Sequence, residues 1–395
     1  MLANLVTSMP FYVCTFWTVL LLLDVVEQRQ AAKRRLLVYM VAAALLYMGH
    51  YVFFNRQTAL LPVTDTIYCT TNLAVFPLYF LYLKELTEPQ WNRRLQWLLL
   101  LPTAVIGTTI GTLYALMTPE QTRQFTEAYL YHNHFAGLDG AAWWQAALHH
   151  TGKLVFAMQI PPILVLGFRM ISRYDQAVEA NYADTDDKRL QLMKNVLVLF
   201  VVTSFISFGA NLLGRYRFAD SMWLLLVPSV LFSVLQFMLG FAGYRQQFTI
   251  RDMMRDMQLA PSANGDALTI AVETATDADG NVEQQTSILD TLPRQLTELM
   301  SRERLFLQPN LKITDVAERL HTNRTYVSRV LKEQLDTTFA DFINRQRIDH
   351  ACRLMKQQPD LSAADVATMS GFSSQSSFYR NFKKYMGCSP TDYQE

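Results

Sequence analysis

The sequence predicts an all-α protein: a seven-helix transmembrane bundle plus a C-terminal domain of two helix-turn-helix modules joined by a long linker helix. Three observations predict it. Of 395 residues 51% are apolar and the net charge is only +1, yet the long apolar runs all lie before about residue 243 and charge is dense only after it. Seven of those runs have the length of a bilayer crossing. Two segments near the C-terminus repeat one helical pattern.

The apolar runs fall at 10–26, 36–54, 66–83, 95–117, 153–171, 192–213 and 222–243. A helix needs roughly 20 residues, with a range of about 17–25, to cross the hydrocarbon core. The first run lacks a basic n-region and a small-residue cleavage site, so it reads as a retained helix and not a signal peptide. Lys and Arg set the orientation. The first connection holds Arg29, Lys33, Arg34 and Arg35; the third Lys84, Arg93 and Arg94; the fifth Arg173, Lys188 and Arg189; and Arg245, Arg251 and Arg255 follow the last run. The alternate connections hold Arg56, then Arg123, then Arg215 with Arg217, and the N-terminal tail none. The N-terminus is therefore expected outside and the C-terminus in the cytoplasm, the split that an odd number of spans requires.

Polar residues inside spans are functional hypotheses by default. His50, Asn72, Gln159 and Asn211 fall on four different helices, each in the outer half of its span. Together they can line a pocket open to the exterior, with Pro161 and Pro162 kinking the fifth helix beside it. The alternative is that they hydrogen-bond between helices. The long external connection at about 118–152 carries Trp143 and Trp144, which suit a membrane-interface belt. Its His132, His134, His149 and His150 show no ligand spacing, and no metal is expected there. Cys14, Cys69, Cys352 and Cys388 form neither a metal motif nor a disulfide framework.

Past the last span, Phe248, Ile250, Met253, Met254 and Met257 form one apolar stripe that continues the seventh helix into the cytoplasm. This stripe is either a short dimer contact or an amphipathic stub on the membrane surface. From Asp256 to Pro293 there are seven acidic residues and no Lys or Arg, with Pro261, Gly265 and Gly280 breaking any period. That composition reads as a flexible acidic tether. The expected organisation is a sensor-like membrane domain at 1–243, a juxtamembrane helix and linker at 244–292, and a helical domain at 293–395.

In that last domain, "VAERLHTNRTYVSRVLKEQL" from Val316 and "VATMSGFSSQSSFYRNFKKYMG" from Val366 align, so that Thr322 to Lys332 match Ser373 to Lys383. Each is a short helix with a Val-Ala face, a tight turn, and a second helix begun by Ser, Thr or Asn. That is helix-turn-helix architecture, whose second helix enters the major groove. Between the copies, Phe339, Phe342, Ile343, Ile348, Ala351, Cys352 and Leu354 suit one long helix packed on both modules.

Residues 293–395 resemble the DNA-binding domain of the AraC/XylS family of bacterial transcription regulators. The motifs that carry the resemblance are "TDVAERLHTNRTYVSRVLKEQL", the linker helix "FINRQRIDHACRLM" and "VATMSGFSSQSSFYRNFKKYMGCSPTDY". Within the last, Ala367, Gly371, Phe372, Ser376, Phe378, Phe382, Lys383, Gly387 and Pro390 follow the family pattern in order. The match covers about a quarter of the chain. The apolar part does not resemble the usual soluble sensing domain and looks like the less common members in which a multi-spanning domain replaces it. The resemblance implies promoter DNA as partner, transcription regulation as function and a bacterial cytoplasmic membrane as location.

The faces agree with this. Val327 and Leu331 turn inward on the first recognition helix, leaving Arg324, Thr325 and Ser328 as candidate base readers and Asn323 and Lys332 as candidate phosphate contacts. On the second, Phe378 and Phe382 turn inward, leaving Gln375, Ser376 and Tyr379 for bases and Ser374, Arg380, Lys383 and Lys384 for phosphates. From Ser301 to Glu395 fourteen basic residues face eleven acidic ones, so binding is expected to rest on local patches. The expected partners are double-stranded DNA, the lipid bilayer, an unidentified small-molecule or membrane-protein signal, and a second copy in a homodimer. The competing class is a seven-span receptor whose C-terminal domain is a protein-interaction module. No enzyme is expected, since no nucleophile constellation, phosphate loop or metal motif is present, and no cofactor.

Overall fold

The computed structural model describes residues 2–28, 30–88, 93–213, 222–258 and 282–394. Among them it is helical throughout, with no strand and a single isolated bridge between Tyr182 and Lys312. The helices are α1 (Leu2–Gln28), α2 (Ala31–Phe54), α3 (Leu61–Thr87), α4 (Arg93–Leu116), the short α5 (Pro119–Gln124), α6 (Gly140–Asn181), α7 (Gln191–Leu213) and α8 (Met222–Arg245). They continue with α9 (Ile250–Gln258), α10 (Val282–Glu303), α11 (Ile313–Arg319), α12 (Arg324–Glu333), α13 (Phe339–Gln357), α14 (Ala363–Met369), α15 (Gln375–Met386) and α16 (Pro390–Gln394). Seven of the described helices are long and apolar enough to cross a membrane.

The chain divides into two compact units. The first holds Met1–Ile171 and Leu190–Gln247. Its interior is aromatic: Tyr39, Tyr79 and Phe200 pack together with Tyr79 stacked on Phe200 at 4.4 Å. Its exterior is apolar too, with Val26, Met158, Phe205 and Trp223 all more than 70% exposed. Water would penalise such a surface heavily. Hydroxyls inside the helices satisfy themselves locally, as Thr15 and Thr18 do by donating to the carbonyls of Phe11 and Cys14. Lys33, counted above as an orienting cation, is buried and paired with Asp24 at 2.8 Å.

Three boundaries differ from the sequence expectation. Helix α6 begins at Gly140 instead of near 153, because "AAWWQAALHH" has good helix formers in its first turns. Pro161 and Pro162 lie inside this continuous helix. The stripe after the last apolar run is a separate helix, α9, because Thr249 starts it afresh: its backbone N–H and hydroxyl both donate to Asp252. The chain is already helical at Val282, within the stretch read as tether, and residues 259–281 of that stretch lie outside the described residues.

The second unit holds Ser172–Arg189 and Phe248–Glu395. Its first core joins Leu292, Leu296 and Met300 of α10 to Val316, Val327, Leu331, Phe339 and Ile343. Its second joins Ile348, Ala351 and Met355 to Val366, Phe372, Phe378 and Phe382. Helix α13 thus gives its first half to one core and its second half to the other. Thr338, Ser362 and Ser374 cap α13, α14 and α15 by accepting from the backbone N–H three residues on. Gly371 turns between α14 and α15 at φ +83°, a left-handed conformation that glycine adopts without cost.

Candidate nucleic-acid interface and a cavity in the apolar unit

Helices α12 and α15 present the side chains read above as DNA contacts. On α12, Val327, Val330 and Leu331 are fully buried, while Asn323, Thr325 and Lys332 are exposed and Arg324 and Ser328 half-buried. On α15, Phe378 and Phe382 have no exposed surface; Ser374, Gln375, Ser376, Arg380, Lys383 and Lys384 are exposed and Tyr379 is half-buried. Asn323 and Ser374 spend their side-chain oxygens as caps, accepting from the N–H of Thr325 and Ser377.

Several of these groups already have partners. Lys384 and the Tyr385 hydroxyl both donate to Asp341 at the start of α13. Burial alone would raise that carboxyl; the two hydrogen bonds and the Lys384 charge hold it below its usual value. Arg324 donates to the Met257 sulfur of α9 at 2.8 Å, and burial lowers its pKa. Arg380 is ion-paired with Asp186.

Asp186 belongs to the segment 182–189 between α6 and α7, whose part in this unit the sequence reading missed. Asp184 is nearly buried and ties three places together. One oxygen accepts from Arg347 at 3.1 Å and from the Ser373 hydroxyl at 3.0 Å; the other accepts from the Asn310 backbone N–H at 2.8 Å. Arg347, at 0% exposure, also donates to the carbonyls of Phe306 and Gln308. Ala183 exchanges backbone bonds with this unit as well, donating to Leu311 and accepting from the Asn344 amide. A buried ion pair needs such full hydrogen bonding to survive desolvation. The sequence signal available was an Arg at a core position of an amphipathic helix, which demands a carboxylate from somewhere.

In the apolar unit, His50 and Asn72 line one cavity of about 140 Å³. Tyr39, Tyr47, Ser204 and Gln236 are among its other polar lining residues. Gln159 is not among the lining residues, and the side chain of Asn211 lies outside the described residues. Of the four histidines of the long connection, His132 and His134 are exposed, His150 bonds the Tyr129 hydroxyl at 2.9 Å, and only His149 is buried.

Comparison with known proteins bears on the second unit. A family profile described as a helix-turn-helix domain matches residues 316–395. The melibiose operon regulatory protein of Escherichia coli K12 is 36% identical over 85 residues, which are 22% of this chain and 28% of that protein. The probable transcription factor PqrA of Proteus vulgaris is 31% identical over 85 residues, 22% of this chain and 69% of that one. The Msm operon regulatory protein of Streptococcus mutans is 27% identical over 86 residues, 22% of this chain and 31% of its own. The chain thus spans under a third of the melibiose and Msm regulators. No solved structure matches it.

Proposed function

Because the chain belongs to the AraC family of transcription regulators, we propose that it is a membrane-embedded, sequence-specific DNA-binding regulator that answers an external or membrane-borne signal. One observation carries the DNA half: two capped helices expose Thr, Lys, Gln, Ser and Arg on modules whose buried faces are fully occupied. The membrane half is supported by seven apolar helices with an apolar exterior. The segments grouped in the second unit, 172–189 and 248–395, are also those that the distribution of Lys and Arg assigns to the cytoplasm.

In this reading Arg324, Thr325, Ser328, Gln375, Ser376 and Tyr379 read bases, and Asn323, Lys332, Ser374, Arg380, Lys383 and Lys384 position the backbone. The cavity beside His50 and Asn72 takes the signal. Its volume is close to that of an apolar cavity able to hold a benzene-sized molecule. A small, largely apolar ligand with one or two polar atoms fits its lining.

Crosslinking to chromosomal DNA followed by sequencing tests the proposal in cells. A shared motif in two half-sites about one helical turn apart is expected. R324A should relax preference at one base position, at a cost of about 1–3 kcal/mol for the preferred sequence. K383A should weaken all sequences alike and reduce the salt slope by about one. A chain that enriches no DNA and instead pulls down one protein through residues 293–395 belongs to the interaction-module class.

A further inference from the structure

Where α3 meets α6, Asp65, Cys69 and His149 bring one oxygen, one sulfur and one nitrogen within 4.8 Å of one another. His149 Nδ1 faces the Gln145 carbonyl at 2.8 Å, so that nitrogen carries the proton and Nε2 offers a lone pair. That lone pair faces an Asp65 oxygen at 2.8 Å, an oxygen that also accepts from the Tyr114 hydroxyl at 2.8 Å. Two acceptors so close, with side chains only 4% and 3% exposed, require a cation between or beside them. A proton can meet that need with the thiol hydrogen-bonded to the imidazole, whereas a metal ion would use all three donors at once.

We propose that Asp65, Cys69 and His149 form a zinc site in the apolar unit. Several features favour a metal. Thiolate, imidazole and carboxylate together are a borderline-soft donor set that selects zinc over magnesium or calcium. A ligating His held by a hydrogen bond from its other nitrogen to a carbonyl, and a ligating carboxylate held by a Tyr, are the supports such sites use. Cys69 gives up its thiol proton on binding, and two anionic ligands with neutral His149 cancel the charge of Zn²⁺, which suits an apolar interior. Three protein ligands leave a fourth position. A cavity of about 30 Å³ adjoins Cys69 and His149, room for one water, and one turn before His149 the wholly buried Gln145 carries an Oε1 with no partner among the described residues.

The test uses the full chain in lipid nanodiscs, titrated with Zn²⁺ against a chromophoric competitor and separately with Co²⁺. The expected result is one zinc per chain and a thiolate-to-cobalt charge-transfer band. C69S keeps the Tyr114–Asp65–His149 hydrogen bonds, so it preserves the packing; it should lose the band and bind zinc more weakly by more than the roughly tenfold to hundredfold that loss of a mere supporting residue costs. H149Q, which keeps the thiolate, should weaken zinc binding without abolishing the band at saturating Co²⁺. No stoichiometric zinc, or zinc held as tightly by C69S, overturns the site. The result is independent of whether the second unit binds DNA.

A different set of contacts carries a second inference. One candidate DNA contact in each module is covered by chain outside that module: Arg324 by Met257 and Arg380 by Asp186. We infer that the 182–189 segment competes with DNA, Asp186 occupying the guanidinium that a phosphate would take. Asp184 fixes the segment through Arg347 and Ser373, which leaves Asp186 free to exchange.

This inference rests on the DNA reading above, and the same assay separates the two. Affinity of the full chain in nanodiscs for its crosslinked site is measured across salt concentrations. D186N, nearly isosteric at a surface position, should bind about two- to fivefold tighter, with a salt slope steeper by about one. R380Q in the D186N background should remove the gain. Wild-type binding without a gain in D186N, or a gain that survives R380Q, overturns the contact alone. No binding by either chain sinks the DNA reading with it.

Discussion

At the scale of single residues, the second unit depends on a few positions whose chemistry admits no substitute. Gly371 is one. A Cβ there would lie 2.6 Å from the Leu307 carbonyl oxygen, and φ is +83°. The left-handed conformation and the collision with backbone, which cannot swing aside, add up to about 2–4 kcal/mol for G371A. Hydrogen exchange on the full chain is the direct measurement: amides of α14 and α15 should lose protection while those of α12 keep theirs. Equal loss in both modules would mean that they unfold as one body. Arg347 is another such residue, since its guanidinium serves two carbonyls and Asp184 at once. Burial pulls its pKa down and Asp184 pushes it back, so removing the carboxylate would leave a buried, uncompensated guanidinium charge.

At the scale of elements, legibility followed how local the determining physics is. The seven apolar helices could be read because crossing length and composition are properties of a continuous run. The two repeated modules could be read because capping residues and inward Val, Phe and Leu recur at fixed offsets. Helix α13 shows the limit. Its apolar positions announced a helix serving two cores, but nothing nearby in sequence announced that Arg347 between them would meet Asp184, 163 residues earlier. The Asp65, Cys69 and His149 cluster escaped for the same reason. Asp65 and Cys69 stand one turn apart on α3, a spacing visible beforehand, but the third donor is 84 residues away and stood among three histidines that do not join it. An acidic residue at the edge of an apolar run was the available clue, and its cost once the helix extends past it is reason enough to search for its partner.

At the scale of the whole molecule, the question is which side of the membrane each connection faces. In the proposed reading, seven crossings put the two ends on opposite sides, and the second unit draws its chain from two places: the connection between α6 and α7, and the chain from Phe248 onward. A unit assembled from both requires that both emerge on one side. Lys and Arg agree, since Arg173, Lys188 and Arg189 stand in the first and Arg245, Arg251 and Arg255 open the second. Fusions to a phosphatase that is active only outside the cytoplasm test this at three points. After Gly137, in the connection that precedes α6, the fusion should be active. After Asp187 and at the C-terminus both should be inactive, and a reporter that needs the cytoplasm should show the inverse pattern. Activity after Asp187 with silence at the C-terminus would separate the two segments that make up the second unit. The Asp184–Arg347 bond could not then form within one chain, and the D186N experiment would lose its basis before it was begun.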